Sequence, residues 1–175
     1  QKSTSSTSYY ACAAGIVSGV SSATVKDCYN TGNIPGTQAA AGIATDTSYG
    51  TKIQTCYSTG TIRNTTNRIA AGGIMDAGSS SYVVNCYYLA NSVTNCYGVS
   101  GSQKAGYGIG NAQKDTAGST TALTKSNMNY SGYYTGFDFS AVWDPWDGRY
   151  PPELRNTAEH TIHSYNYWIT NGNQH

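Results

Sequence analysis

The sequence predicts an all-β protein, a parallel β-solenoid (β-helix) of three to four coils with a C-terminal aromatic cap. Only 11% of the 175 residues are charged, whereas 20 are Gly and 16 are Tyr. Leu, a strong helix former, occurs only at Leu89, Leu123 and Leu154. A chain rich in Gly, Tyr, Thr and Val is typical of short strands joined by tight turns.

A repeated motif is the second observation behind this prediction. The segment "VKDCYNTGNI" (25–34) recurs 28 residues later as "IQTCYSTGTI" (53–62), and "VVNCY" (83–87) follows after 30 more. Each copy is preceded by small residues and an Ile, in "AAGIVSG", "AAGIATD" and "AGGIMDA". We interpret "VTNCY" (93–97) as a fourth copy. Strands this short are unstable alone, so we expect the copies to stack and to pair in parallel.

Within one copy, apolar and polar residues alternate with the period of a strand. Ile43, Ile53 and Ile62 are expected to face the interior, whereas Lys52 and Gln54 face solvent. This alternation predicts one continuous core inside the stacked repeats.

The paired phrases "AAGIVSG…VKDCYNTGNI" and "AAGIATD…IQTCYSTGTI" resemble the GLUG motif of bacterial surface proteins, which include large adhesins and segments attached to IgA-specific metallopeptidases. The run "GFDFSAVWDPWDGRYPPEL" (136–154) resembles the segment that commonly follows the last GLUG repeat. The resemblance covers about residues 12–155 and implies a right-handed parallel β-helix on a cell-surface protein, without one shared activity. The sequence departs from the pattern at "YYLANSV" and at the early Cys96.

We divide the chain into four regions. Residues 1–100 hold the repeats, and 101–122 form a Gly/Ser/Thr-rich connection or a last irregular coil. Residues 123–155 form the cap, and 156–175 form a tail with the alternation of an extra strand.

The cap is expected to cover the open end of the last coil, because exposed strand edges recruit other chains. Its aromatic residues are Phe137, Phe139, Trp143 and Trp146, and "LTKSNM" at its start reads as a short helical turn.

The five cysteines could either take part in a chemical reaction or pack in the core. Cys28, Cys56 and Cys86 recur in register, which favours a structural stack of small buried residues. The alternative is a disulfide between Cys86 and Cys96, or between Cys12 and a neighbour. All three His follow residue 159 and no C-x-x-C spacing exists, so neither a catalytic thiol nor a metal site is expected.

A tyrosine follows each of four cysteines, so its side chain is expected on the opposite, outer face. Tyr29, Tyr57, Tyr87 and Tyr97 are therefore the candidate binding residues, as an exposed row that stacks on sugars or on a protein. The alternative is a cross-strand ladder that only stabilises the sheet. Thr31 and Thr59 precede Gly and read as turns; the alternative is an ice-binding threonine row.

Most acidic residues of interest lie in the cap, namely Asp138, Asp144, Asp147 and Glu153. The phrase "DPWDG" (144–148) reads as a turn. The alternatives are an acid pair acting on a glycoside, or a Ca²⁺ site at Asp144 and Asp147. His160 and His163 are interpreted as part of a solvated tail, with metal chelation as the alternative.

Net charge is +1 with no charged run, which argues against binding nucleic acid, and no apolar run is long enough for membrane insertion. The sequence predicts a non-catalytic extracellular or cell-surface module without cofactor, whose partner is a cell-surface glycan or protein. The alternative is a structural subunit that joins copies of itself end to end into an extracellular filament. A third hypothesis is a carbohydrate-active enzyme.

Overall fold

The computed structural model describes residues 12–36, 39–48, 50–64, 71–76, 82–94, 96–97, 103–104, 107–110 and 119–157. This part of the chain is all-β, with two single-turn 3₁₀ helices, as the composition predicts. Within these ranges no helix is long and apolar enough to cross a membrane.

The strands fall into successive repeats along the chain. Repeat 1 contains β1 (Cys12–Ala14), β2 (Val17–Ser21), β3 (Thr24–Lys26), β4 (Tyr29–Asn30) and β5 (Ile34–Gly36). Repeat 2 contains β6 (Ala39–Ala41), β7 (Ala44–Ser48), β8 (Lys52–Gln54), β9 (Tyr57–Ser58) and β10 (Ile62–Asn64). Repeat 3 contains β11 (Ala71–Met75), β12 (Tyr82–Val84), β13 (Cys86–Leu89) and β14 (Val93–Thr94). The chain then continues through β15 (Cys96–Tyr97), β16 (Gln103–Lys104), β17 (Tyr107–Ile109) and β18 (Thr120–Leu123).

Equivalent strands of neighbouring repeats pair in parallel and in register. Tyr29 pairs with Tyr57, which pairs in turn with Tyr87. Ile34 pairs in the same way with Ile62. The motif spacing therefore predicts the strand register correctly for the first three repeats.

The pairing produces four parallel sheets. The largest has the order β1-β6-β11-β7-β2, with β17 also paired to β11. The others have the orders β12-β8-β3, β14-β10-β5 and β18-β13-β9-β4. We call the last one the tyrosine sheet. Two pairs are antiparallel, β15 with β16 and β19 (Trp143–Asp144) with β20 (Glu153–Leu154).

The predicted fourth copy, "VTNCY", is wrong. Val93 pairs with Ile62, so it belongs to the closing strand of repeat 3 rather than to a new repeat. Cys96 lies in β15, which pairs with β16 in an antiparallel arrangement. The fourth strand of the tyrosine sheet is β18, where Thr121 stands opposite Tyr87. The two similar Asn-Cys-Tyr segments suggested that Val93 begins a new repeat. Val93 instead occupies the position that Ile34 and Ile62 hold in the first two repeats.

Apolar side chains from all four parallel sheets meet in an inner core. Ile43, Ile53 and Ile62 are fully buried there and Lys52 is exposed, as the alternation predicts. Gln54, which was also expected to face solvent, is half-buried. The inner core also contains Ile74, Met75, Cys56, Cys86 and Tyr88.

The glycine of each Ala-Gly-Ile phrase allows close approach across this core. A Cβ on Gly42 would lie 2.1 Å from the carbonyl oxygen of Gly73 and 2.5 Å from the Cβ of Ser58. In repeat 3 the equivalent space beside Gly73 is filled by the ring of Tyr88. A side chain does not fit there, so the motif retains Gly.

The residues before Cys28, Cys56 and Cys86 adopt a left-handed backbone conformation. The φ angles are 52° at Asp27, 50° at Thr55 and 52° at Asn85. These residues turn the chain from the β3, β8 and β12 sheet into the tyrosine sheet. The Thr55 hydroxyl donates a hydrogen bond to the Asp27 carboxylate of the preceding repeat. A β-branched residue is unfavourable in this conformation, so Thr55 holds local strain.

The cap consists of the 3₁₀ helices Asn127–Asn129 and Ser131–Tyr133 and the β19–β20 pair. It packs on the outer face of the tyrosine sheet and forms an outer core there. This position differs from the predicted one at the open end of the last repeat. The outer core contains Tyr57, Tyr87, Leu123, Met128, Tyr134, Phe137 and Trp143, with Tyr29, Leu89, Phe139, Val142 and Leu154 at its edge.

Candidate functional site: the covered tyrosine sheet and the groove beside it

The tyrosine sheet carries one tyrosine from each of three repeats in a row. The Tyr29 and Tyr57 rings are stacked, with centroids 5.3 Å apart and planes 10° from parallel. The row is the direct result of the in-register pairing, because residues opposite one another on neighbouring strands project to the same face.

Aromatic rings of the cap cover this row. Trp143 contacts Tyr29 and Tyr57 at centroid distances of 6.1 and 5.8 Å. Tyr134 lies 5.7 Å from Tyr57 and 4.9 Å from Tyr87, in tilted or edge-on geometries that aromatic pairs prefer. The cap therefore contacts the tyrosines of three successive repeats.

The buried hydroxyls reach backbone carbonyls. Tyr57 donates to the Pro152 oxygen at 2.6 Å, and Tyr87 donates to the Thr135 oxygen at 3.2 Å. Burial raises the pKa of Tyr87 above its usual value. These hydrogen bonds tie cap backbone directly to repeats 2 and 3.

The predicted exposure of the tyrosine row is wrong for two of its members. Tyr57 is 1% exposed and Tyr87 is 5% exposed, and Tyr29 is half-buried. The side chain of Tyr97 lies outside the described residues. The alternation correctly separates Tyr from Cys, but it contains no information that the cap folds back onto the tyrosine face. Tyr29, Tyr57 and Tyr87 therefore form the cross-strand ladder that was the alternative to an exposed binding row.

The four predicted cap aromatics do not share one environment. Trp143 is fully buried, and Phe137 and Phe139 pack beside it in and at the edge of the outer core. Trp146 is half-buried and donates its Nε1–H to a Glu153 carboxylate oxygen at 3.1 Å.

The cysteine row faces the inner core on the other side of the same sheet. Cys56 and Cys86 are fully buried and Cys28 is half-buried, and all three carry free thiols. Each thiol donates to the carbonyl oxygen two residues before it, at 3.1 Å for Cys28 and Cys56 and 3.4 Å for Cys86.

The protonated form of the Cys28 and Cys56 thiols is favoured. A hydrogen bond to Cys56, together with burial, raises the pKa of Cys28. A hydrogen bond from Cys28 lowers the pKa of Cys56, but the hydrogen bond to Cys86 and burial outweigh it and leave that pKa raised. Because the thiolate is the nucleophile, this environment suits packing rather than chemistry. Neither proposed disulfide is formed at Cys12 or Cys86, and the side chain of Cys96 is outside the described part.

The cap acids each hold a local structural contact. Asp138 accepts three hydrogen bonds from Ser140 and Ala141, and the Ser140 hydroxyl is the main cause of its lowered pKa. Asp144 lies 3.7 Å from the Arg155 guanidinium. Glu153 is buried and accepts from Trp146 as described above.

Asp147 is held in the same manner. Its two oxygens accept from the backbone N–H and the hydroxyl of Ser131, at 2.6 and 3.0 Å. Asp144 and Asp147 thus bind different partners. Among the residues described, no group of three His, Cys, Asp or Glu side chains is placed to hold a metal ion. His160 and His163 lie outside the described residues.

A groove of about 430 Å³ lies where the cap meets the turns that follow the tyrosine strands. One wall contains the Thr31 and Thr59 turns of repeats 1 and 2. The lining residues are Thr31, Thr59, Leu89, Lys125, Met128, Asn129, Arg149, Tyr150 and Pro151.

Two hydrogen bonds fix the cap side of the groove. The Asn129 side-chain amide donates to the Arg149 oxygen at 3.3 Å, and the Gly148 N–H donates to the Asn129 oxygen at 2.8 Å. The turn that carries Arg149 and Tyr150 is thereby held against the first 3₁₀ helix.

The described lining combines hydroxyl groups, an amide, an aromatic ring, two cations and the apolar residues Leu89, Met128 and Pro151. Tyr150 is 45% exposed, and Lys125 and Arg149 are also exposed. Among the described residues that line the groove there is no Asp, Glu, His or Cys. This part of the lining offers groups that can hydrogen-bond to a polar ligand or pack against it.

The sequence does not predict this groove, although the repeated Thr31 and Thr59 are visible in it. Tyr150 is far from both threonines along the chain, and only the backward fold of the cap brings the three together. No local signal in the sequence specifies that contact.

Comparisons with protein-family models, with curated proteins and with solved structures found no match.

Proposed function

We propose that this chain is a right-handed parallel β-solenoid of the GLUG type and acts as a non-catalytic, extracellular binding module whose groove takes a saccharide. The in-register parallel pairing of three repeats supports the solenoid architecture. The groove between the cap and the threonine turns is the observation that carries the functional proposal.

The size and chemistry of the groove favour a saccharide. A volume of about 430 Å³ is within the range of small-molecule sites and suits one or two sugar rings. The Thr31 and Thr59 hydroxyls and the Asn129 amide offer hydrogen bonds to sugar hydroxyls. The exposed Tyr150 ring offers an apolar face for a pyranose.

Binding without cleavage is favoured by the position of the acids. Glycosidases of the common type use two carboxylates that flank the bond to be cleaved. The described lining residues include no carboxylate, and Asp138, Asp144, Asp147 and Glu153 each hold a contact within the cap.

The test is saccharide binding by a glycan array, followed by calorimetry on the positive saccharides. Tyr150→Ala should abolish binding while leaving thermal unfolding unchanged within a few degrees. Tyr82→Ala is the matched control, because Tyr82 is 69% exposed on β12 and does not line the groove. Binding that survives Tyr150→Ala, or no saccharide bound at all, would refute the proposed site.

End-to-end assembly is a second candidate, and the exposed end of the inner core favours it. In repeat 2, Ile53 and Ile62 are fully buried, whereas their partners in repeat 1, Val25 and Ile34, are only half-buried. Ile16 is 44% exposed at the same end. Strands β3, β4 and β5 are edge strands of their sheets among the described residues, an arrangement that invites strand addition.

Analytical ultracentrifugation over a hundredfold concentration range tests this assembly. Ile16→Lys should reduce any association, because it places a charge at the apolar end. Tyr133→Lys is the control, since Tyr133 is similarly exposed, at 47%, but lies in the cap. A concentration-independent monomer would exclude this second candidate.

A further inference from the structure

We propose that the groove binds an extended, β-1,4-linked oligosaccharide that runs along the stacking direction of the strands, with one sugar at each of two threonine turns. This proposal rests on the proposed saccharide-binding function and adds the linkage and the orientation of the ligand. It depends on the side of the groove that contains Thr31 and Thr59, where the repeats place equivalent residues one strand apart.

Thr31 and Thr59 occupy equivalent positions in neighbouring repeats. The tyrosine strands pair in register up to Asn30 and Ser58. The Thr59 N–H donates to the Asn30 oxygen at 2.9 Å, so the parallel pairing continues into the two turns. The two threonines therefore stand opposite each other on one face, separated by one strand spacing of about 4.8 Å.

The two turns that carry these threonines are packed directly on each other. The Asn30 side chain donates to the Gly32 oxygen at 2.8 Å and accepts from the Gly32 N–H at 3.1 Å. A Cβ on Gly60 would lie 1.9 Å from the Gly32 oxygen, so the next turn follows without a gap. The Thr61 N–H donates to the Asn33 side-chain oxygen at 2.9 Å. The backbone therefore sets the spacing of the two threonines before any ligand binds.

The threonine hydroxyls can reach a ligand in the groove. Thr31 is exposed and Thr59 is half-buried, and both line the groove. Within the part of the chain that the structure describes, neither hydroxyl has a hydrogen-bond partner in the protein. A hydroxyl both donates and accepts, so each threonine can bind a sugar hydroxyl or a ring oxygen.

The row of hydroxyls ends at repeat 3. Tyr88 pairs with Ser58, so the next residue, Leu89, takes the position that Thr59 holds in repeat 2. Leu89 lines the groove and packs at the edge of the outer core. This wall therefore offers hydroxyls at two successive strands and an apolar side chain at the third. Two sugars can be hydrogen-bonded, and a third can only pack.

The strand spacing determines the linkage that fits. Sugars linked β-1,4 form an extended chain that advances by nearly one strand spacing, about 4.8 Å, per sugar. Two successive sugars of such a chain reach Thr31 and Thr59 at the same time. An α-1,4-linked chain curves, so its second sugar leaves the direction of the row.

Calorimetry with saccharides of one to four sugars tests the proposal. The probes are the β-1,4-linked cello-, xylo-, manno- and chito-oligosaccharides, with the malto-oligosaccharides as the α-1,4-linked match for the cello series. In at least one β-1,4-linked series the disaccharide should bind about tenfold more tightly than the monosaccharide, because it gains a second set of hydrogen bonds. The gain beyond the trisaccharide should be small. Maltose should bind no more than about threefold more tightly than glucose.

Single valine substitutions test the placement of one sugar at each threonine. Thr31→Val and Thr59→Val each keep the shape of the side chain and remove one hydroxyl. Each should weaken binding of the disaccharide by about three- to tenfold. Each should weaken binding of the monosaccharide by at most about twofold, because a single sugar can use the remaining threonine. Thr61→Val is the matched control, because Thr61 is exposed close to Thr59 and is not one of the lining residues.

The opposite results separate this proposal from the underlying function. Equal affinity for one and two β-1,4-linked sugars, or for cellobiose and maltose, would overturn the orientation and leave the saccharide site standing. A glycan array that yields only saccharides without a β-1,4-linked chain would do the same. Unchanged disaccharide binding in both valine variants would overturn the role of the threonines. Binding of no saccharide at all would refute both this proposal and the proposed function.

Discussion

Truncation of Tyr57 to alanine probes the contact between the cap and the repeats directly. This side chain is 1% exposed, stacks on Tyr29 and packs against Tyr134 and Trp143. Its hydroxyl donates to the Pro152 oxygen at 2.6 Å. Tyr57→Ala removes all of these contacts at the centre of the outer core.

The expected loss of unfolding free energy is large. Removal of a fully buried aromatic ring costs about 3–5 kcal/mol, which includes the cavity left behind. The Pro152 carbonyl loses its donor, which adds about 1 kcal/mol. The total of about 5 kcal/mol is a large share of the stability of an ordinary domain. Tyr57→Phe keeps the ring and should cost only about 1 kcal/mol.

Urea unfolding measures both values, with fluorescence of the three tryptophans, which include Trp143 and Trp146 of the cap, and with circular dichroism reporting on the sheets. Tyr82→Ala is the control and should change stability by less than about 0.5 kcal/mol, because Tyr82 is 69% exposed. A Tyr57→Ala cost below about 1 kcal/mol would mean that the tyrosine face is open to solvent. The covered tyrosine sheet and the groove beside it would then both be rejected.

Three further changes test the repeats and the outer core. Gly42→Ala should destabilise by at least about 2 kcal/mol in urea unfolding, because its Cβ would clash with the Gly73 carbonyl; Gly132→Ala, with open space around it, should not. Thr55→Asn relieves the strain at φ near 50° but also removes the hydrogen bond from the Thr55 hydroxyl to Asp27. In an Asp27→Gly background, where that bond is already absent, Thr55→Asn should stabilise by about 1 kcal/mol, and an unchanged midpoint there would argue against strain. Burial raises the pKa of Tyr134 above 10, so the folded state keeps a proton that the unfolded state releases, and stability falls as pH rises above about 10. In alkaline titrations followed by circular dichroism, Tyr134→Phe should make this decline shallower; an identical decline would contradict the assignment.

The repeat register could be predicted because it depends on local pattern alone. Ile43, Ile53 and Ile62 alternate with polar residues, and two similar motifs 28 residues apart pair in register when both bury the same face. The all-β class and the parallel pairing follow from the same information. The complete solenoid and its handedness remain proposals.

The position of the cap could not be predicted because it depends on contacts between distant segments. The hydrogen bond from Tyr57 to Pro152 joins residues 95 positions apart, and no periodicity links them. The error at Val93 has a different cause. Val occupies an Ile position there, and the nearby Asn-Cys-Tyr phrase gives a stronger but misleading match. The left-handed turn at Asp27, Thr55 and Asn85 was also missed, because three different residue types occupy it.

Because the cap contacts three successive repeats, the position at which a further repeat is inserted determines whether the cap contacts are kept. Trp143 contacts Tyr29 of repeat 1, and Phe137 contacts Tyr87 of repeat 3. The distance between these two cap residues therefore matches the width of three paired strands. A duplication between these tyrosines would push them apart by one strand spacing, about 4.8 Å, and break one end of the contact. An additional repeat placed before β1 would leave every cap contact intact. A further repeat before β1 therefore leaves the groove unchanged, whereas a further repeat between Tyr29 and Tyr87 disturbs it.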